Sequence, residues 1–139
     1  MASVTTDSGM PLSASQSEAV ADQAEAQGWR LVVLFGSMAE QGQGRDWDIA
    51  VLPEESPDAF EEGRWVAEVE RIFHPHSVDL VVLTPRTSPL TRFEVFRAGI
   101  PLYEAEEGQF EHERDRAFFL YADSAKFREA MRESLHGGT

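Results

Sequence analysis

The sequence predicts an α/β fold, a small mixed sheet flanked by helices, and two observations support this class. Three short apolar runs have the length and composition of strands, at Arg30–Phe35, Asp46–Leu52 and Val78–Leu83. Segments with apolar residues at helical spacing alternate with these runs along the chain. Alternation of this kind is typical of a layered α/β sandwich whose sheet is parallel or mixed.

The order of the elements indicates one domain preceded by a tail. The chain has 139 residues, which suits a single domain at residues 15–139. Residues 1–14 are small and polar, and we expect them to form a flexible tail. The helices are predicted at Ser15–Gln27, Ser37–Gln41, from a Ser56 N-cap with Pro57 in the first turn to Phe73, at Leu90–Arg97 and at Phe110–Leu135, with a short extended piece at Pro101–Tyr103.

The last predicted helix, Phe110–Leu135, carries more apolar residues than one buried face requires. Part of this surface is expected to form an interface with a partner protein or with a second copy of the chain, as in a homo-oligomer. The alternative is that the whole helix covers the sheet. The sequence leaves both interpretations open.

Charge and composition exclude several classes of function. The chain has 25 acidic and 12 basic residues, and its formal net charge is −13. Such a surface repels nucleic acid and anionic membranes, so we expect neither as a direct partner. The absence of cysteine excludes disulfides and thiolate metal sites. No secretory signal or membrane-spanning run is visible, and cytoplasmic residence is the expectation.

Two carboxylates open the second predicted strand. Side chains alternate across a strand, so Asp46 and Asp48 face one side while Trp47, Ile49 and Val51 face the other. Two like charges side by side repel each other, and no lysine lies nearby to compensate. A divalent cation would resolve the repulsion, and hard oxygen ligands favour Mg²⁺ or Mn²⁺.

A third carboxylate, Asp79, lies near the start of the third predicted strand, whose other residues are mostly apolar. Burying it alone would be costly. If the second and third strands are neighbours, Asp79 joins Asp46 and Asp48 as a third metal ligand. Three carboxylates on two adjacent strands suit phosphoryl chemistry with two metal ions.

The first strand ends in Gly36-Ser37, which opens a short helix. Backbone N–H groups at such a turn bind phosphate well, and glycine allows the backbone to approach the phosphates closely. The Ser37 hydroxyl can add one hydrogen bond. A second interpretation is structural, because Ser37 and Glu40 have the spacing of a capping box.

This arrangement of Gly-Ser, Asp-x-Asp and a later single Asp resembles the DNA polymerase β-like nucleotidyltransferase superfamily. The later stretch SPLTRFEVFRAGIPLYEA is similar to its minimal nucleotidyltransferase (MNT) branch, and the similarity runs from about Arg30 to the end of the chain. The resemblance implies an antitoxin that transfers AMP from ATP to a hydroxyl of a HEPN-domain toxin. It also implies Asp46 and Asp48 as metal ligands, Asp79 as third ligand and activator of the acceptor hydroxyl, and Gly36-Ser37 on the phosphates of ATP.

Two features depart from the family pattern. Eight residues separate Ser37 from Asp46, where the family usually has about ten. Met38 and Glu40 occupy positions where the family usually has basic residues. These departures support an alternative function, a nucleotidyltransferase fold that neutralises its partner by contact alone. A further alternative is transfer to a cationic small molecule of the aminoglycoside type, which the acidic surface would suit.

Overall fold

The structure is a computed structural model that describes residues 3–4 and 12–136. The strands are β1 (Ser3–Val4), β2 (Trp29–Phe35), β3 (Asp46–Pro53), β4 (Ser77–Val82) and β5 (Ile100–Glu104). The helices are α1 (Ala14–Gln27), α2 (Gly36–Gln41), α3 (Ala59–Phe73), α4 (Pro89–Arg97) and α5 (Gln109–His136). The predicted α/β class is therefore confirmed.

The strands form one mixed sheet in the order β1-β5-β2-β3-β4. Only the β3–β4 pair is parallel among the described strands, and the other pairs are antiparallel. The central strands β2 and β3 are apolar on both sides because helices cover both faces of the sheet. In β2, Leu31 through Leu34 are all buried.

Two hydrophobic layers lie on opposite faces of the sheet. Helices α1 and α3 cover one face, where Trp47, Ile49 and Val51 of β3 are buried. Helices α4 and α5 cover the other face, where Ala50 and Leu52 are buried. This division follows the alternation of side chains along β3 and confirms the predicted parity of the strand.

Helix boundaries are set by local capping. Ser13 and Gln16 form a capping box at the start of α1, and Gly28 ends the helix in the left-handed conformation at φ 73°. The predicted start of α3 was wrong. Its N-cap is Asp58, whose side chain accepts a hydrogen bond from the Glu61 N–H at 2.8 Å, and Ser56 lies before the helix. Both residue types cap helices well, and the cap two residues later is the one used.

Helix α5 plays two roles along its length. Its first half packs on α4 and the sheet, and Phe110 and Ala117 are buried there. Farther along, Phe119 is 70% exposed and Met131 is 49% exposed. The helix thus packs one side of its first half on α4 and the sheet, and it presents the apolar side chains of Phe119 and Met131 to solvent.

The predicted tail, residues 1–14, falls largely outside the described residues and stays a prediction. Within the part of the chain that is described, Ser3 pairs with Glu104 and Val4 with Tyr103 at the edge of the sheet. No helix among the described residues is sufficiently long and apolar to traverse a bilayer.

Candidate functional site

The carboxylates predicted from the sequence lie at the amino end of the parallel β3–β4 pair. Asp48 is directly opposite Asp79 in the register of the two strands, and Asp46 is opposite Ser77. Neighbouring strands lie about 4.8 Å apart, so Asp48 and Asp79 stand side by side on the same face of the sheet. Asp46 lies two residues earlier on that face of β3 and is exposed. The fold therefore brings the three predicted carboxylates to one place.

Charge and burial both act against the ionised form of Asp48. The residue is partly buried, and burial is the main reason that its pKa is raised above the ordinary value. The negative charges of Asp79 and, to a smaller extent, Asp46 raise the pKa of Asp48 further. A bound cation would remove this electrostatic penalty.

Gly36 stands directly against Asp48 where β2 ends. The backbone at Gly36 has φ 73°, a conformation that favours glycine. A Cβ atom built on Gly36 would lie 2.2 Å from Oδ2 of Asp48, so any larger residue would force the Asp48 side chain to move. The backbone conformation and the contact with Asp48 thus both favour glycine here, and the lack of a side chain lets the turn lie close to the carboxylate of Asp48.

The short loop after α2 folds back over Ser37. Gly42 ends α2 at φ 71°, and its N–H donates to the Met38 carbonyl oxygen at 3.1 Å. A Cβ on Gly44 would lie 3.2 Å from the Cβ of Ser37. These two glycines let the shortened loop connect α2 to β3. Ser37 itself is exposed, so its hydroxyl is accessible to a ligand.

The capping box considered for Ser37 and Glu40 does not form. Helix α2 begins at Gly36 with Phe35 as N-cap, and no side chain caps this end within the described residues. Glu40 instead forms an ion pair with Arg97 of α4, in which one guanidinium nitrogen lies 3.2 and 3.3 Å from the two carboxylate oxygens. The structural interpretation of the Ser37–Glu40 pair was therefore wrong.

Arg97 is the charged residue that sequence reasoning missed at this site. It is 57 residues from Glu40 in the chain, and it also lies 3.8 Å from Glu94 on its own helix. A basic residue in the last turn of a helix is expected from the helix dipole alone, so nothing local indicated the contact with α2. Arg97 therefore places a positive charge beside α2. This is the helix on which Glu40 occupies a position where the family usually has a basic residue.

The donor chemistry of the three aspartates fits a hard divalent cation, because all the available ligands are carboxylate oxygens on one face. In the arrangement described, no group of three Asp, Glu or His side chains among residues 3–4 and 12–136 converges to hold an ion. The three aspartates therefore fit a divalent cation in their ligand chemistry and share one face of the sheet, and metal binding stays a prediction.

Comparison with known families identifies the class of the protein. Residues 20–108 match the family described as Polymerase beta, Nucleotidyltransferase, and this match covers more than half of the chain. The chain belongs to this nucleotidyltransferase family. No significant match was found among curated proteins.

Solved structures with the same fold come from toxin–antitoxin complexes. A chain of a toxin–antitoxin complex with AMP-PNP superposes with a TM-score of 0.70 at 22% identity, covering 86% of this chain and 97% of that one. A complex of a tri-AMPylated HEPN toxin with an MNT antitoxin from Shewanella oneidensis gives 0.67 at 20% identity, covering 86% and 95%. A chain of the MntA–HepT complex gives 0.68 at 19%, covering 88% and 98%. The predicted resemblance to the MNT branch is confirmed at the level of the fold.

Proposed function

We propose that this protein is an MNT-type antitoxin that transfers AMP from ATP to a protein hydroxyl on a HEPN-domain toxin, with Mg²⁺ or Mn²⁺ as cofactor. The observation that carries the proposal is the direct pairing of Asp48 with Asp79, beside Asp46 and against Gly36. Cytoplasmic residence and self-association stay predictions.

Asp46, Asp48 and Asp79 are the residues that would hold the metal. When bound, the ion would neutralise charge on the triphosphate and lower the pKa of the acceptor hydroxyl. The raised pKa of Asp48 supports this assignment, since crowded carboxylates gain the most from a cation.

The chain's own residues would orient the two reactants and receive the proton. The backbone N–H groups at Gly36 and Ser37, with the Ser37 hydroxyl, would hold the phosphates. The acceptor oxygen forms a bond to the α-phosphorus of ATP, and the bond from that phosphorus to the bridging oxygen breaks. Pyrophosphate leaves with the electron pair, and the proton of the acceptor hydroxyl passes to Asp79.

Two of the structures with this fold are consistent with the proposal. One is of a toxin–antitoxin complex with AMP-PNP, and the other contains a tri-AMPylated toxin. At 20 to 22% identity to this chain, they support the choice of ATP as nucleotide and of a toxin as acceptor.

The test is a transfer assay with ATP labelled at the α-phosphate, Mg²⁺ and the protein encoded by the neighbouring gene. We expect label on the partner with the wild-type chain and at least about a 100-fold loss with Asp48→Asn, the scale for removing one electrostatic partner of a transition state. Asp22→Asn, an exposed site on α1, is the matched control and should transfer label normally. Absence of transfer by the wild type would refute catalysis.

A second function, neutralisation by contact alone, is favoured by Glu40 and by the absence of a convergent metal-binding group in the described residues. In that case Asp46→Ala and Asp48→Ala would still protect cells from the toxin. Loss of protection by both variants, with partner binding retained in a pull-down, would exclude this alternative.

A further inference from the structure

A cavity lies at the opposite end of the parallel strand pair from the carboxylates. Its volume is about 230 Å³, and Leu52 of β3 and Leu83 after β4 are among the residues that line it. Leu52 is four residues from Asp48, which corresponds to about 13 Å along the strand. The cavity is therefore separate from the candidate active site.

Three arginines from three different elements line this cavity: Arg30 at the start of β2, Arg92 on α4 and Arg116 on α5. A neighbouring cleft shares Thr84 and Pro85 with it and adds a fourth, Arg86. The chain has only 12 basic residues against 25 acidic ones. Convergence of this many guanidinium groups on one end of the sheet is unexpected in so acidic a protein.

The three arginines that line this cavity form no close ion pair with a carboxylate of the described chain, and the same is true of Arg45, Arg86, Arg114 and Arg128. Among the described residues, ion pairs within 4.0 Å form at Arg64, Arg71, Arg97 and Arg132. None of these ion pairs includes Arg30, Arg92 or Arg116. Positive charge at this cavity is therefore not neutralised by direct contact within the described chain.

Arg92 is the most constrained of the three. It is partly buried, and its guanidinium donates a hydrogen bond to the Thr84 carbonyl oxygen in the loop after β4. Burial lowers the pKa of Arg92, the carboxylate of Glu113 opposes this effect, and the charge of Arg116 adds to it. Holding a cation in this position costs free energy, which an anionic ligand would offset.

Glu113 and Glu54 are the acidic residues that line the cavity. Glu113 is only 6% exposed, yet no ion pair within 4.0 Å joins it to an arginine of the described chain. Two carboxylates against three guanidinium groups leave a net positive charge, and Arg86 beside the cavity increases it.

We propose that this cavity binds a small phosphate-bearing anion at a site distinct from that of nucleotidyl transfer. A phosphate group carries more than one negative charge and accepts hydrogen bonds on several oxygens, which suits guanidinium groups from three directions. A single planar carboxylate needs only one guanidinium fork. The volume fits orthophosphate or pyrophosphate and is smaller than a typical site for a drug-sized ligand.

The position in the fold separates the two sites. The cavity lies at the carboxyl ends of β3 and β4, whereas the candidate active site lies at their amino ends. The proposal therefore does not depend on the transfer reaction.

The test is calorimetric titration of the full chain with pyrophosphate in buffer containing EDTA. The net charge of −13 repels anions in general. Saturable binding of pyrophosphate would therefore indicate a local site formed by the arginines. We expect one site, and at least about a tenfold loss of affinity in the double variant Arg30→Gln/Arg116→Gln, since each charge-assisted bond contributes about that factor or more. Both residues are exposed, so the variant should fold.

The matched control is Arg64→Gln/Arg71→Gln, which removes the same charge from exposed positions on α3. It should bind pyrophosphate like the wild type, and the cavity variant should retain whatever AMP transfer the wild type shows. The proposal is overturned if pyrophosphate does not saturate, if both double variants lose affinity equally, or if malonate, a dicarboxylate of similar size, binds as tightly.

Discussion

The two ends of the parallel β3–β4 pair carry opposite charges. At the amino end, Asp46, Asp48 and Asp79 lie together, and the pKa of Asp48 is raised. At the carboxyl end, Arg92 and Arg116 line a cavity without forming ion pairs in the described chain. Like charges repel one another at each end. An arrangement with both signs of charge at each end would therefore be more stable.

This difference teaches how the sheet separates two kinds of site. Parallel strands align their starts with one another and their ends with one another, so residues at equivalent strand positions collect at one edge. The amino end collects carboxylates beside a glycine turn, which suits a cation and a nucleotide. At the carboxyl end, the guanidinium groups come from β2, α4 and α5 and are brought together by tertiary packing, and they suit an anion.

The largest effect on the carboxylate end is expected from Gly36→Ala. The new Cβ would meet Oδ2 of Asp48, and a residue other than glycine at φ 73° costs about 1–2 kcal/mol before the clash is counted. We expect a loss of more than 2 kcal/mol in the free energy of unfolding by urea, on the order of the sum of both effects. AMP transfer should fall with it, because Asp48 must move.

Two glycine controls separate the causes of that loss. Gly42→Ala has the same backbone cost at φ 71° with no atom within 4 Å of its Cβ, so it should lose only about 1–2 kcal/mol. Gly63→Ala lies within α3 in open space and should gain about 0.5–1 kcal/mol. Equal losses at Gly36 and Gly42 would show that contact with Asp48 does not matter.

A smaller effect is expected from Asp48→Asn in the absence of metal. The pKa of Asp48 is higher in the folded than in the unfolded state, so the ionised carboxylate destabilises the fold above its folded pKa. The Asn variant should therefore resist urea better than wild type at pH 7. This advantage should shrink as the pH falls through the raised pKa of Asp48 and vanish below the unfolded value of about 3.9.

The urea midpoint, measured from pH 7 to pH 3.5, checks this prediction, with Asp22→Asn on the surface of α1 as control. Saturating Mg²⁺ should stabilise the wild type and not the Asn variant, since an ion that binds only the folded state raises its stability. An Asn variant that is less stable than wild type at pH 7 would contradict the proposed repulsion.

Sequence reasoning predicted the carboxylates at the amino end of the β3–β4 pair, but it did not predict the arginines at the carboxyl end. Asp46 and Asp48 could be placed on one face because strand parity is a local property, and Asp79 followed once β3 and β4 were neighbours. Arg92 and Arg116 lie on different helices, and only the packing of α4 against α5 brings them together. Strand and helix positions were predicted from local periodicity, while contacts between helices depend on the tertiary fold.

The start of α3 shows a different limit. Ser56 and Asp58 are both good N-cap residues two positions apart, and sequence alone offered no reason to prefer the second. The partner of Glu40 was also beyond local reasoning, because Arg97 is 57 residues away. Glu40 marked a departure from the family pattern in the sequence, and the structure adds the cation that lies against it.

The smallest expected effects concern this Glu40–Arg97 pair, and they test whether charge near Ser37 limits nucleotide binding. Both side chains are substantially exposed, so the pair should contribute less than about 1 kcal/mol to stability. If Arg97 supplies positive charge near the phosphates, Arg97→Gln should weaken Mg²⁺–ATP binding about two- to fivefold, the scale of an exposed charge at this range. Glu40→Gln should strengthen it by a similar factor.

Titration calorimetry at low and high salt measures both variants, and Arg71→Gln is the control for charge alone. Both effects should diminish at 0.5 M salt, because exposed charges are screened there. Opposite shifts for Arg97→Gln and Glu40→Gln would place Arg97 in the electrostatics of the nucleotide site. Unchanged affinity for Mg²⁺–ATP in both variants would mean that the Glu40–Arg97 pair only joins α2 to α4. The absence of a basic residue after Ser37 would then favour neutralisation of the toxin by contact over catalysis.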